Sequence, residues 1–448
     1  MFKARRVRSS RWLSIVSCMV MLLAGLSACA QGQSSTTGGP TTFTNTKPIV
    51  IGFSMPLTKD FSADGQLMLQ GYQLWANAVN NSGGILGRPV QLKYYDDQSD
   101  PQKTAQNYTT LINKDKVDLL FGPFSTLLTK AAEGANGISA YPFIEGAGGA
   151  PSVFTSGWTN LFATSVAVVN NLDTYAYYIL SLPLSQRPKT IAYLTSDDPF
   201  TFPQIDRAQQ LLAQGGVKTV FPTPANFKQF GSMPQFQYGP QQSGPQYEYG
   251  EGDKNPTAEA TAYAEAIVHA KPDVVVLGTL LPDIQAEIAV FKKEHFKPKS
   301  LIATAGPDLG GDFIKAIGGE QYTEGIFVPN GWYPQANNFQ NAQMVQAYVA
   351  KYGGPANQVN ADVAEAYSVG QVTQQAVEKV GSLDKAKLIN ELHSGDVFNT
   401  VQGTASFASD GHNTQGLAYL FQWQGGQLIP VYPLSVAVEN PEFNSYGF

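Results

Sequence analysis

Cysteine is nearly missing from this chain. Its 448 residues hold two, Cys18 and Cys29, both close to the N-terminus. No disulfide framework can hold the body together, and a thiol nucleophile or thiolate metal site is excluded from it. Histidine is as thin: His269, His295, His393 and His412 stand far apart, with no HExxH pair and no Cys–His spacing. No metal site is therefore expected. GxSxG and GxxxxGK[ST] do not occur either, so no nucleophile elbow and no P-loop is offered, and neither catalytic residues nor a cofactor are expected. Charge is sparse, with Asp, Glu, Lys and Arg making up 14% of the chain, and acids outnumber bases 35 to 29. That balance argues against a nucleic-acid partner. Beyond the N-terminus no apolar run is long enough to span a bilayer.

What is present begins with an export signal. Lys3, Arg5, Arg6, Arg8 and Arg11 precede an apolar run of 15 residues at 12–26, short for a span and right for a signal peptide. The run closes on Leu26-Ser27-Ala28-Cys29, which resembles a bacterial lipobox. Cutting before Cys29 and lipidating its thiol would leave a membrane-anchored mature chain; an ordinary secretory signal is the plainer alternative. Removing 1–28 takes away five positive charges, so the net charge goes from −6 to −11. Residues 29–46, rich in Gln, Gly, Ser and Thr, read as a flexible tether.

The centre of the body is residues 117–151. An apolar run at 117–121 stops at Gly122-Pro123, helical spacing follows over 124–140, and a second short run at 141–144 ends in the small-residue loop 146–150. Both loops then lie at the carboxyl ends of parallel strands, where open α/β sheets take small ligands. Ser125 and Thr126 stand at the helix start, where a hydroxyl either caps the helix or touches a ligand. Strand-like runs at 48–54 and 90–95 alternate with helical spacing before this unit, as in a doubly wound parallel sheet. The alternation restarts after 162–165 and continues to about 303, then gives way to helical stretches at 339–351, 362–380 and 383–393 and to extended runs at 404–408, 417–423 and 428–432. A Pro-, Gln- and Tyr-rich stretch at about 222–255 reads as a long surface insertion, with a lid or partner contact as the alternative. Asp96, Asp97 and Asp100 suggest acid chemistry or calcium, or more simply a strand end and a helix cap before Pro101. Trp158, Trp332 and Tyr333 read as core or hinge packing, with a ligand wall as the alternative.

Residues 49–57 (IVIGFSMPL), 80–87 (NNSGGILG), 96–101 (DDQSDP), 116–123 (KVDLLFGP), 271–276 (KPDVVV) and 323–326 (TEGI) resemble, in order, the leucine/isoleucine/valine-binding family, the type I solute-binding proteins of ABC importers. The resemblance implies two doubly wound parallel-sheet lobes joined by three hinge crossovers, near 162–165, 327–332 and 415–419. Lobe 1 would be 47–163 plus 330–415 and lobe 2 would be 164–329 plus 416–448. It further implies an extracytoplasmic monomer that gives a small solute to ABC permease subunits, touching the membrane through a lipid at Cys29. By position, the first-lobe contacts fall on Ser125, Thr126, Ala147, Gly148 and Gly149. Gly149 stands where the family usually has a hydroxyl residue. Second-lobe contacts fall on Phe200, on Leu280 where a Tyr is common, and on Asp308 as the acidic partner of an ammonium. The solute implied is an amino acid, an amide or a small carboxylate. A ligand sensor read by a receptor is one alternative. An extracytoplasmic hydrolase is another, and it would need a positioned nucleophile and base that the sequence does not supply.

Overall fold

A computed structural model describes residues 43–196, 198–223, 256–443 and 446–448. The expected signal peptide at 1–28, Cys29, most of the tether and nearly all of the insertion lie outside the described residues. Everything that follows belongs to one compact unit, Thr41–Phe448.

β1 (Ile49–Met55), β2 (Val90–Asp96), β3 (Leu119–Phe121), β4 (Phe143–Glu145) and β5 (Leu161–Ala163) form a parallel sheet in the order β2-β1-β3-β4-β5. The inner strand β3 is a continuous apolar run because helices cover both faces, whereas the edge strand β2 carries Gln91 and Lys93. The helices Ser62–Asn81 and Ala361–Val380 pack one face, burying Met68, Trp75, Val363 and Val369 against Ile51 and Phe53. The helix Pro101–Asn113 and Trp158 pack the other, around Tyr108, Leu111 and Phe143. Asp100 caps that helix, accepting from the amides of Gln102 at 2.8 Å and Lys103 at 3.2 Å, with Pro101 at its first position. Of the two readings of the Asp96–Asp100 cluster, the strand end and helix cap is the one seen.

The Ser62–Asn81 and Ala361–Val380 helices cross closely enough to need small residues at the contact. A Cβ on Gly71 would come within 2.4 Å of the Val363 carbonyl, and one on Gly370 within 2.1 Å of the Trp75 ring. That crossing brings the N-terminal turns of the two helices to the same side of the sheet.

β6 (Thr190–Thr195), β7 (Lys218–Phe221), β8 (Val274–Gly278), β9 (Ser300–Ala303) and β10 (Ile326–Asn330) form the parallel part of a second sheet. β11 (Phe398–Thr400) and β12 (Gly403–Ala405) make a separate hairpin. β13 (Tyr419–Gln424) and β14 (Gln427–Tyr432) join the second sheet antiparallel, giving the order β14-β13-β10-β9-β8-β6-β7. Their two-residue turn is Gly425-Gly426, both at positive φ, as a tight hairpin between right-twisted strands requires. The five parallel strands repeat the order of the first sheet around a core of their own, centred on Tyr193, Val275, Phe291 and Phe327.

The chain therefore passes between the sheets three times: after β5, after β10, and between β12 and β13. One sequence expectation needs correction. The helix predicted over 124–140 runs only from Thr126 to Ala132, and a separate 3₁₀ turn follows at Ile138–Ala140. Gly137, with a left-handed φ of 92°, stands immediately before that turn and keeps it from joining a continuous right-handed helix.

Candidate ligand-binding site

A cleft of about 1270 Å³, counted to its open mouth, lies between the two sheets. Its wall follows from the topology. Phe61 and Asp64 come after β1, Phe124 and Ser125 after β3, Ala147 after β4 and Val166 after β5. On the other side Asp198 and Phe200 come after β6, Leu280 and Leu281 after β8, and Thr304 and Asp308 after β9. Every one of these segments leaves the carboxyl end of a parallel strand, and the loops part to leave a crevice where the strand order reverses, between β1 and β3 and between β6 and β8. Pro329, Asn330 and Gly331 close the base from the β10 crossover, and Ala361, Asp362 and Glu365 enter from the first turns of their helix.

Two chemistries share this wall. The apolar part is Phe61 and Phe124, in edge-to-face contact at 5.8 Å, facing Phe200, Leu280 and Leu281 of the second lobe. The polar part is acidic: Asp60, Asp64, Asp198, Asp308, Asp362 and Glu365 all line it, and none of the described wall residues is Lys, Arg or His. Asp198 orders its neighbour by accepting from the Phe200 amide at 2.7 Å. Burial pushes the Asp64 carboxyl up to about 7, and the charges of Asp308 and Asp312 push in the same direction. Burial likewise holds Asp362 and Glu365 well above the usual carboxylate range, with Asp64 and Asp308 adding repulsion to both. Asp308 is raised by burial. Behind the wall Glu145 is fully buried and sits at about 7, again through burial; its Oε2 accepts from the Gly148 amide. Among the described residues no group of three or more His, Cys, Asp or Glu is arranged to hold a metal ion.

The lobes already touch across the cleft. Asn360 caps the Ala361–Val380 helix through the Asp362 amide at 2.7 Å, and its Nδ2 donates to the Asp308 carbonyl at 2.9 Å. Near the rim Asn357 Nδ2 donates to Gln427 Oε1 at 2.9 Å.

Of the eight contact positions expected from the sequence, Ser125, Ala147, Phe200, Leu280 and Asp308 line the cleft. Thr126, Gly148 and Gly149 do not. Thr126 points its hydroxyl into the protein, where it is fully buried and makes no hydrogen bond among the described residues. Gly148 packs on Thr129 and Glu145, and Gly149 lies against Val166 and Ser165. Ser125 caps the short helix, accepting from the Leu128 amide at 3.2 Å, with φ of 75° and ψ of 153°. That backbone region is almost reserved for glycine, and an L-residue held there is strained. Trp332 is core: its indole donates to Asn341 Oδ1 at 2.9 Å. Trp158 is core as well, and Tyr333 packs edge-on against Tyr419 at the crossover.

Sequence reasoning missed Phe61, Asp64, Thr304, Asp362 and Glu365. Each acid sits in or near the first turn of a helix, where a carboxylate is ordinary because it suits the helix dipole. The chain alone carried no signal that these turns face one cavity.

The sequence model of the family described as "Periplasmic binding protein" matches residues 48–247 and 241–427. Leu/Ile/Val-binding protein homolog 3 of Brucella melitensis biotype 1 is 22% identical over 383 residues, which is 85% of this chain and 93% of that protein. Among solved structures, the branched-chain amino acid transporter substrate-binding protein of Streptococcus pneumoniae, in complex with isoleucine, matches with a TM-score of 0.65 at 17% identity, over 85% of this chain and 98% of that one. A solute-binding protein of an ABC transporter from R. palustris, in complex with benzoate, matches with a TM-score of 0.63 at 18% identity, over 90% of this chain and 99% of that one.

Proposed function

Because this chain belongs to the periplasmic binding protein family, we propose that it is an extracytoplasmic binding protein that closes on an amino-acid-like solute and hands it to the permease of an ABC importer. The observation that carries this reading is the composition of the cleft wall: residues of both lobes and of the β10 crossover share it. A solute touching both walls stabilises the closed form relative to the open one by its differential contacts, and a ligand can shift a hinge equilibrium in no other way. The aromatic and leucine side chains exclude water from its carbon frame, and the acidic floor takes its ammonium. Ser125, Ala147, Phe200, Leu280 and Asp308 are the contacts of this proposal. Delivery to a permease calls for a partner that recognises the closed form, and an acylated Cys29 would keep the protein at the membrane surface where that partner lies.

The benzoate held by the R. palustris neighbour suggests a second reading, an aromatic acid. Six acidic side chains and no basic one among the described wall residues weigh against a bare carboxylate. Titration of the detergent-solubilised protein with amino acids, amides and aromatic acids, followed by thermal unfolding and small-angle scattering, tests the proposal. A true solute at 100 times its dissociation constant should add about 2.7 kcal/mol of stability and shrink the radius of gyration as the lobes close. A panel that changes neither quantity counts against a solute carrier.

A further inference from the structure

Resting on the reading of the cleft as the solute site, we propose that its solute is a small organic cation of net positive charge, carrying ammonium or guanidinium groups in excess of any carboxylate. The class meant is that of basic amino acids and aliphatic diamines.

Three independent features converge on it. The first is placement: Asp64, Asp362 and Glu365 come from the first lobe and Asp308 from the second, all lining one cleft that holds no basic side chain among its described residues. The second is unused hydrogen-bonding capacity. Asp362 is 6% exposed and its Oδ2 makes no hydrogen bond among the described residues; the same holds for the Oγ1 of Thr304, also 6% exposed. Both residues line the cleft. A buried acceptor without a donor costs free energy, and donors brought in by a solute remove that cost. An ammonium carries three N–H donors and a guanidinium five. The third is the aromatic lining: Phe61, Phe124 and Phe200 border the cleft, and the face of an aromatic ring attracts a cation and repels an anion.

A zwitterion such as isoleucine fits this wall less well. Its carboxylate needs donors, and two of the positions expected to supply them, Thr126 and Gly149, lie off the cleft. A metal ion is a poor fit as well, since no described acidic group has metal-binding geometry and much of the wall is apolar. The arrangement also suits closure. Asp308 of the second lobe lines the cleft with the first-lobe acids, and its carbonyl accepts from Asn360 at 2.9 Å, so a cation held between these carboxyl groups draws the two lobes together.

The test is isothermal titration of the full-length protein, solubilised in detergent at pH 8, with lysine, arginine, cadaverine, isoleucine and benzoate. A dissociation constant at least tenfold lower for one of the three cations than for isoleucine is the expected result. Asp362→Asn should weaken that cation at least tenfold and change isoleucine binding less than threefold. The thermal midpoint of the empty variant, read alongside, establishes that it is folded. If isoleucine or benzoate binds more tightly than every cation, or as tightly, the inference falls while the solute-carrier reading stands. If none of the five binds, the inference falls; a scattering profile that still contracts on adding a wider mixture of small solutes would keep the carrier reading alive.

Discussion

Asp64→Asn measures the cost of the acidic cleft directly. Its carboxyl is raised from 3.8 to about 7, first by burial and then by Asp308 and Asp312. A folded-state value above the unfolded one means that the folded protein holds the proton more tightly. Stability is therefore unaffected below about pH 4, falls as pH rises through the window from about 4 to about 7, and is fully lowered above it. The shift is about three units, which at 1.36 kcal/mol per unit gives a cost on the order of 4 kcal/mol at pH 8. Asn keeps the shape and abolishes the charge. The variant without solute should thus be more stable than the parent at pH 8, by up to about 4 kcal/mol, and should match it near pH 4. For a lobe of this size, about 2–4 °C per kcal/mol turns that into a rise of several degrees in Tm. Thermal unfolding of both proteins at pH 4 and pH 8, without added solute, is the assay. An equal difference at the two pH values, or a variant less stable at pH 8, would refute the argument that burial and like-charge repulsion govern this wall.

Binding of an ammonium-bearing solute should tighten as pH rises from about 5 to 8, because Asp64 titrates at about 7 and only its charged form attracts the ligand; proton release measured during titration in two buffers of different ionisation enthalpy checks this. Gly370→Ala places a Cβ about 2.1 Å from a Trp75 ring carbon, so it should destabilise by about 1–3 kcal/mol, and by loosening the helix crossing it should weaken solute binding too; denaturant unfolding and titration read the two effects. Ser125→Gly relieves backbone strain of order 1–3 kcal/mol while losing a cap that glycine replaces within a few tenths, so stability should rise by about 1 kcal/mol and solute affinity should fall. Cys29→Ser should move the protein from the membrane fraction to the soluble one and abolish labelling by a radioactive fatty acid.

The folding pattern was legible because most parallel strands are short apolar runs, β1, β3 and β7 closed by Pro56, Gly122 and Pro222, and the helices show their apolar stripes locally. Residues 49–54, 117–121 and 273–277 could be placed on strands without reference to one another. The helix end at Ala132 was not legible, since Gly134 and Gly137 lie within helical spacing and a glycine there is tolerated as often as it interrupts. The cleft was half legible. Ser125, Ala147, Phe200, Leu280 and Asp308 follow strands of the type that end at a ligand crevice, so motif order located them. Asp64, Asp362 and Glu365 could not be found that way, because the residues that make them a site are far away in the chain.

By itself, then, the sequence determined the alternation of strands and helices and the loops that would lie at the strand ends, both of which depend on neighbours in the chain. Tertiary structure alone decided the charge of the cleft. The close approach of two helices at Gly71 and Gly370 aligns first turns from opposite ends of the chain, and the fold then sets Asp308 of the other lobe before them. Coulomb repulsion and desolvation depend on distance through space and on exclusion of water, and spacing along a chain fixes neither.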